Sequence, residues 1–393
     1  MTKHIEVLKD KHKCSGCTAC MAICPKQCIT MSQDEEGFMY PIVDDKKCID
    51  CGLCEKNCPF IQEEYKRPLH AYSIPKVFAA KHKQDIVRMS STSGGIFTAI
   101  SDAIISQGGV ICGAIFDQKS QKVRHILAYN EEQRNRIRGS KYVQSELGNI
   151  FSEIKDILDK GTKVLFTGTP CQTAGLISFL RKDYENLLVV DILCHSVPSP
   201  QIFHNAINGK DVKDICFRNK KRGWRNSYEF SIEKPNGKEI NTTYLTMFFK
   251  GLINRPSCYN CRFTNAKRSS DITIGDYWNI NHVEKSFEDR LGVSCVLVNT
   301  PKGMDFFNKI KSQLKYLETE LSSALQECLQ RPVTETKSRE IFWKNYKLHG
   351  YEWCVIKYGH KTIGDKIKDN LLAPIVRKLH IRKIVRNLRK KKC

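Results

Sequence analysis

Two cysteine runs within the first sixty residues constrain this chain more than anything else in it. Cys14, Cys17, Cys20 and Cys24 follow a C-x2-C-x2-C-x3-C spacing closed by Pro25, and Cys48, Cys51, Cys54 and Cys58 repeat it, closed by Pro59. Three cysteines at two-residue intervals wrap a short loop around one iron-sulfur cubane, and the fourth of each run reaches the other cluster. The runs therefore read as a bacterial ferredoxin-type module with two 4Fe-4S clusters. One is assigned to Cys14, Cys17, Cys20 and Cys58, the other to Cys48, Cys51, Cys54 and Cys24. Each proline prevents a helix from continuing past the fourth ligand. The alternative is a pair of zinc knuckles, which usually pair C-x2-C units across a longer gap. Cys28 fits neither set and reads as a buried structural thiol.

The chain has 393 residues, enough for two or three domains. Its nineteen cysteines occur in a long chain with cluster spacing and a polar opening, MTKHIEVLKD. That combination points to a reducing cytoplasm rather than a disulfide scaffold. No stretch approaches the roughly twenty continuous apolar residues of a membrane span. The net charge is +22, and much of it lies in the last thirty residues. There Lys366, Lys368, Arg377, Lys378, Arg382, Lys383, Arg386, Arg389 and Lys390–Lys392 alternate with apolar residues at helical spacing, interrupted by Pro374. Such a basic amphipathic tail suits peripheral contact with an anionic membrane or an acidic partner, or is simply a solvated helix. No interleaved aromatic motif accompanies the charge, so nucleic-acid binding is not expected.

The pattern divides the chain into a ferredoxin module at 1–62, a linker at 63–76, a core at 77–345 and a helical tail at 346–393. Within the core, apolar runs at 77–81, 110–116, 123–128, 164–167, 187–193, 272–275 and 293–298 read as strands. Helical periodicity covers 94–105, 150–158 and 173–180 between them, and 243–252, 303–330 and 338–349 later. The segments 215–218 and 228–233 alternate as a further strand pair before the turn Pro235-Asn236-Gly237. The fold class is α+β: a two-cluster module, an α/β core with a mixed sheet, and a helical tail. Cys112, Cys216, Cys295, Cys328 and Cys354 fall in apolar segments and read as core residues.

Four further segments carry chemistry. Ser93-Gly94-Gly95 precedes a helix, where free N–H groups suit a phosphate, although a plain helix cap explains it equally well. Thr167-Gly168-Thr169-Pro170-Cys171-Gln172 and Cys194-His195-Ser196 each follow a strand, where α/β sheets place their sites. Cys258-x2-Cys261 precedes Asp271-Ile272-Thr273-Ile274-Gly275-Asp276-Tyr277-Trp278. Two strand-end cysteines plus a CxxC pair suit a structural zinc, a cluster or free thiols.

Together with GSKYVQS at 139–145, these segments resemble the family formed by the beta subunits of coenzyme F-420 hydrogenases and dehydrogenases, which includes 7-hydroxymethyl chlorophyll a reductase. The resemblance runs over roughly residues 10 to 300. The chain departs from it at Ser196 and Asn279, where glycines are usual. The resemblance implies an FAD-binding core, with a third 4Fe-4S cluster on Cys171, Cys194, Cys258 and Cys261. It nominates Ser93, Gly94, Gly95, Lys141, Thr167, Gly168, Thr169 and Asp276 as FAD-binding residues and His195 as a proton donor. The expected activity is oxidoreductase: electrons from ferredoxin or another electron-transfer protein pass through clusters to FAD and an organic substrate, with coenzyme F-420 one candidate. A non-catalytic wiring component of a larger complex and an accessory protein of cell-surface polysaccharide synthesis are the rival readings.

Overall fold

The structure is a computed structural model that describes residues 10–62, 68, 70–207 and 211–360. The basic tail expected beyond residue 360 lies outside the described residues.

In the ferredoxin-type region, strands β1 (Ile29–Gln33) and β2 (Met39–Val43) form an antiparallel hairpin. Asp34 closes its turn by accepting hydrogen bonds from the backbone N–H groups of Glu36 and Phe38. The two cysteine loops share one backbone conformation. Gly16 and Asp50 hold positive φ at matching positions, and so do Thr18 and Gly52. Left-handed backbone turns each loop tightly before its short helix, Ala19–Ile23 or Leu53–Lys56.

The core is an eight-stranded mixed sheet. Its strands are β3 (Lys76–His82), β4 (Val110–Asp117), β5 (Lys122–Ala128), β6 (Val164–Gly168) and β7 (Leu187–Ile192), followed later by three more. Between them β8 (Asp214–Cys216), β9 (Phe230–Lys234) and β10 (Gly237–Asn241) form a separate antiparallel sheet. β11 (Ile272–Asp276), β12 (Ser294–Val298) and β13 (Leu314–Thr319) complete the large sheet in the order β13-β3-β12-β11-β7-β6-β4-β5. β4, β6, β7 and β11 are parallel, and their buried apolar runs follow from a sheet covered on both faces. Helices Ile96–Ile105 and Pro301–Ile310 share one apolar cluster with the sheet, whereas Ile150–Asp159 and Pro170–Leu180 share another.

Three expectations differ from the structure. The helix expected over 303–330 stops at Ile310, and Leu314–Thr319 instead forms edge strand β13 against β3. The sequence there, LKYLET, buries only its first residue fully, so its apolar content mimics a helix stripe. The last helix, Ser338–Tyr358, runs past the expected end at 349 and is broken at Gly350, whose φ is 80°. Cys216 is exposed rather than in the core, whereas Cys112, Cys295, Cys328 and Cys354 are buried.

The described residues fall into two compact units. One comprises Met1–Asn241 with Ile253–Glu335 and contains both the ferredoxin-type region and the large sheet. The other comprises Thr242–Leu252 with the segment from Thr336 onward, where Tyr244, Met247, Phe248, Phe342 and Cys354 are buried.

Candidate electron-transfer site

The cysteine runs exchange their fourth members. A pocket of about 390 Å3 is lined by Cys14, Cys17, Cys20 and Cys58, together with Gly16, Met31 and Phe60. A second, of about 450 Å3, is lined by Cys48, Cys51, Cys54 and Cys24, together with Ile29 and Val43. These are the groupings the spacing predicts. The donor sets are all thiol, the soft ligation that suits iron-sulfur clusters or zinc. Cys14 and Cys17 are buried, whereas Cys51 is exposed, so the second pocket meets solvent and the first faces inward. Cys28 is buried as expected, with its Sγ 3.3 Å from that of Cys24.

The first pocket is seated against the large sheet. A Cβ at Gly175, in the helix Pro170–Leu180, would lie 2.9 Å from Cys17 Cβ and 3.0 Å from its Sγ. Only glycine lets the cysteine loop lie this close to that helix. Gln144 donates from Nε2 to the Ser15 carbonyl at 3.0 Å, and Arg255 donates from Nε to the Cys14 carbonyl at 2.8 Å. Arg262 donates to the Phe60 carbonyl at 3.1 Å.

Beside this contact lie the other four nominated thiols. Cys171 occupies the first turn of the helix Pro170–Leu180, fixed by a capping box between Thr169 and Gln172. Cys194 follows β7, and Cys258 and Cys261 flank the end of the turn Pro256–Cys258. Desolvation pushes the Cys194, Cys258 and Cys261 thiols up first, and the neighbouring thiols of the same set push them further. Cys171 is also raised by burial, against a hydroxyl contact from Thr169 and the nearby Arg255 charge. Cys171 lies one turn before Gly175, on the helix that packs against Cys17 of the first pocket. A tetrahedral zinc with Zn–S bonds of about 2.3 Å draws its sulfurs closely together. Among the described residues no group of three or more His, Cys, Asp or Glu converges tightly enough to hold one metal ion.

The third assembly lies where β11 ends and β12 begins. Asp276 accepts a hydrogen bond from Ser93 and a 2.8 Å ion pair from Arg218. The Arg218 guanidinium also sits 4.1 Å above the Tyr228 ring and donates to Ser227 and the Trp224 carbonyl. Lys220 donates to the carbonyls of Ser93, Arg88 and Leu291. Burial holds His195 below its ordinary range, opposed by the charges of Glu327 and Asp276, so the ring is neutral at pH 7.

The nominated phosphate cradle is otherwise employed. A Cβ on Gly94 would meet the Ala80 carbonyl at 2.4 Å, and its N–H donates to Ser294 Oγ, so this glycine serves packing against the sheet. Gly95 is the left-handed cap of the helix Ile96–Ile105. Lys141 donates to the carbonyls of Arg136, Ile137 and Arg138, closing the end of a helix. The Thr167 hydroxyl donates to the Cys112 carbonyl, Gly168 packs against Gln172, and the Thr169 N–H is bound by Gln172. Several of the polar groups nominated for a phosphate are thus bonded within the chain. Gln144, Arg218 and Arg255 were not nominated from sequence. Gln144 lies inside GSKYVQS and Arg255 three residues before Cys258, so position within the motifs was the available signal.

The sequence is similar to known proteins. Residues 13–61 match the family model for the 4Fe-4S dicluster domain, and residues 161–323 match that for the C terminus of the coenzyme F420 hydrogenase/dehydrogenase beta chain. A component of the F(420)H(2) dehydrogenase of Methanosarcina mazei is 22% identical over 330 residues, covering 78% of this chain and 84% of that protein. An uncharacterized protein of Methanocaldococcus jannaschii is 28% identical over 348 residues, covering 77% and 88%. A chain of the F420-reducing [NiFe] hydrogenase complex of Methanosarcina barkeri aligns with a TM-score of 0.46 at 17% identity, covering 76% of this chain and 99% of that one. No helix among the described residues is long and apolar enough to cross a membrane. The sequence matches thus show a region at 161–323 similar to the C terminus of coenzyme F420 hydrogenase/dehydrogenase beta subunits, preceded by a 4Fe-4S dicluster domain at 13–61.

Proposed function

We propose that this chain is a cytoplasmic iron-sulfur flavoprotein oxidoreductase that carries electrons through three 4Fe-4S clusters toward an organic substrate. The observation that carries the proposal is the pair of all-thiol pockets, Cys14/Cys17/Cys20/Cys58 and Cys24/Cys48/Cys51/Cys54; the third cluster is supported by Cys171, which stands one turn before Gly175 on the helix that packs against Cys17. Buried thiols crowded this way resist ionising together, and a metal cluster supplies the reason to do so. The exposed Cys24/Cys48/Cys51/Cys54 pocket is the entry point for an electron-transfer partner, and the buried pocket is the relay.

FAD enters the proposal on the resemblance, with coenzyme F420 as one candidate substrate by analogy with the relatives' names. A bound flavin supplies the exchange between single electrons and a hydride that clusters lack. The protein's own contribution is to anchor Asp276 between Ser93 and Arg218 and to set His195, whose proton affinity burial lowers, directly after β7. Because the cradle residues are internally bonded, a wiring component without flavin is the second reading.

Anaerobic purification with iron, acid-labile sulfide and flavin counted together tests both. The expected result is about twelve irons and twelve sulfides per chain, four of each per cluster, with one FAD. About eight irons, unchanged by Cys258→Ala, would remove the third cluster, and a full iron complement without flavin would establish the second reading.

A further inference from the structure

Arg255 is a buried cation whose partners are all neutral. Its side chain is 1% exposed. Nε donates to the Cys14 carbonyl at 2.8 Å, Nη1 to Gln144 Oε1 at 2.6 Å, and Nη2 to the Met39 carbonyl at 2.9 Å. Nη2 also reaches Cys14 Sγ at 3.8 Å. The guanidinium sits 4.3 Å from the Tyr40 ring and 5.3 Å from that of Phe38. No carboxylate pairs with it among the described residues. A fully buried charge is unfavourable unless something opposite in sign lies near. Three other buried arginines illustrate the rule: Arg218 has Asp276, Arg134 has Asp102 and Arg88 has Asp289.

The groups that stand near Arg255 are thiols of two different sets. It touches Cys14 in the first, and its own carbonyl accepts the N–H of Cys258, in the second, at 2.9 Å. Resting on the three-cluster reading, we propose that Arg255 is the shared counter-ion of two clusters. It raises the reduction potentials of both the Cys14/Cys17/Cys20/Cys58 cluster and the Cys171/Cys194/Cys258/Cys261 cluster relative to the Cys24/Cys48/Cys51/Cys54 cluster. Net charge and hydrogen bonds to sulfur are levers on cluster potential. Each cluster takes up one electron with no bond made or broken. The added negative charge meets a standing guanidinium, so no proton need follow it. The arrangement makes inward transfer from the solvent-facing cluster downhill.

The test is an anaerobic potentiometric titration of the full-length protein with dithionite and mediators, each cluster followed by EPR, with iron counted on the same samples. Arg255→Gln removes the charge. Gln144→Glu keeps the side chain's shape and sets a carboxylate against Nη1, cancelling the charge in place while giving up the Nε2 bond to the Ser15 carbonyl. Both should make the two inner clusters at least tenfold harder to reduce, a fall of about 59 mV for one electron, and leave the outer cluster unchanged. Arg255→Lys, which keeps the charge, should shift them less than Arg255→Gln. If Arg255→Gln does not retain its clusters, Gln144→Glu decides. Unchanged inner potentials, an equal fall at all three clusters, or equal shifts in the Lys and Gln variants would each overturn the proposal. An iron count of about eight in the unaltered protein would instead refute the third cluster, while the Cys14 cluster would still decide the role of Arg255.

Discussion

Gly175→Ala isolates the contact that seats the ferredoxin-type region on the sheet. The added methyl would lie 2.9 Å from Cys17 Cβ, 3.0 Å from Cys17 Sγ and 3.3 Å from the Cys17 carbonyl. Ordinary carbon contacts fall at about 3.5–4.0 Å, so the methyl intrudes by about half an ångström. Two effects oppose. Alanine in a helix interior is favoured over glycine by about 1 kcal/mol. Overpacking a closed contact costs about 1–3 kcal/mol, and Cys17 has little freedom to retreat once its thiolate is bound to iron. The cluster-loaded protein should therefore lose about 1 kcal/mol, and Gly175→Val, with two more methyl groups, should lose more. In apo protein, where the loop is released, the helix preference alone should make alanine stabilising. The assay is anaerobic urea denaturation, followed by visible cluster absorption for the loaded protein and by far-UV circular dichroism for both forms. A loaded Gly175→Ala protein more resistant to urea than the parent, with an unchanged EPR spectrum, would refute the seating of Cys17 on this helix.

Two further perturbations follow from buried charge. Burial lowers His125 to about 4, and its Nε2 meets the Thr167 carbonyl at 3.0 Å. The unfolded ring titrates near 6.5 and binds protons that the folded ring refuses, so stability falls as pH drops from about 6.5 toward 4. Between pH 7 and pH 5 the parent should lose about 2 kcal/mol from this site, whereas His125→Gln should lose that dependence; parallel urea midpoints for the two proteins would contradict it. Asp276→Asn leaves Arg218, whose side chain is 2% exposed, without its counter-charge. It should destabilise by about 3–5 kcal/mol, and Arg218→Met in that background should recover part of the loss, as read from thermal unfolding of the double-mutant cycle.

What the sequence determined by itself is what local spacing determines. Cys-x2-Cys intervals fix how many thiolates one loop can aim at one cubane, so both ligand groupings were readable before any fold was known. The apolar runs Val110–Phe116 and Leu187–Leu193 announced buried strands because a parallel sheet covers both faces. Where period and length compete, local pattern failed. Leu314–Thr319 became an edge strand because β3 offered it a partner, which no window of six residues records. The cradle residues show the same limit. Gly94 looked like a phosphate turn, yet the need for glycine comes from the Ala80 carbonyl across the sheet. Lys141 read as a phosphate partner or a surface lysine, and the contacts it makes with three helix-end carbonyls are not written in its local sequence. Only the tertiary structure joined Gly175 to Cys17 and brought the Arg255 guanidinium against Cys14. Such contacts unite residues far apart in the chain, and their energy depends on close approach and exclusion of water, which arise only once the chain has packed.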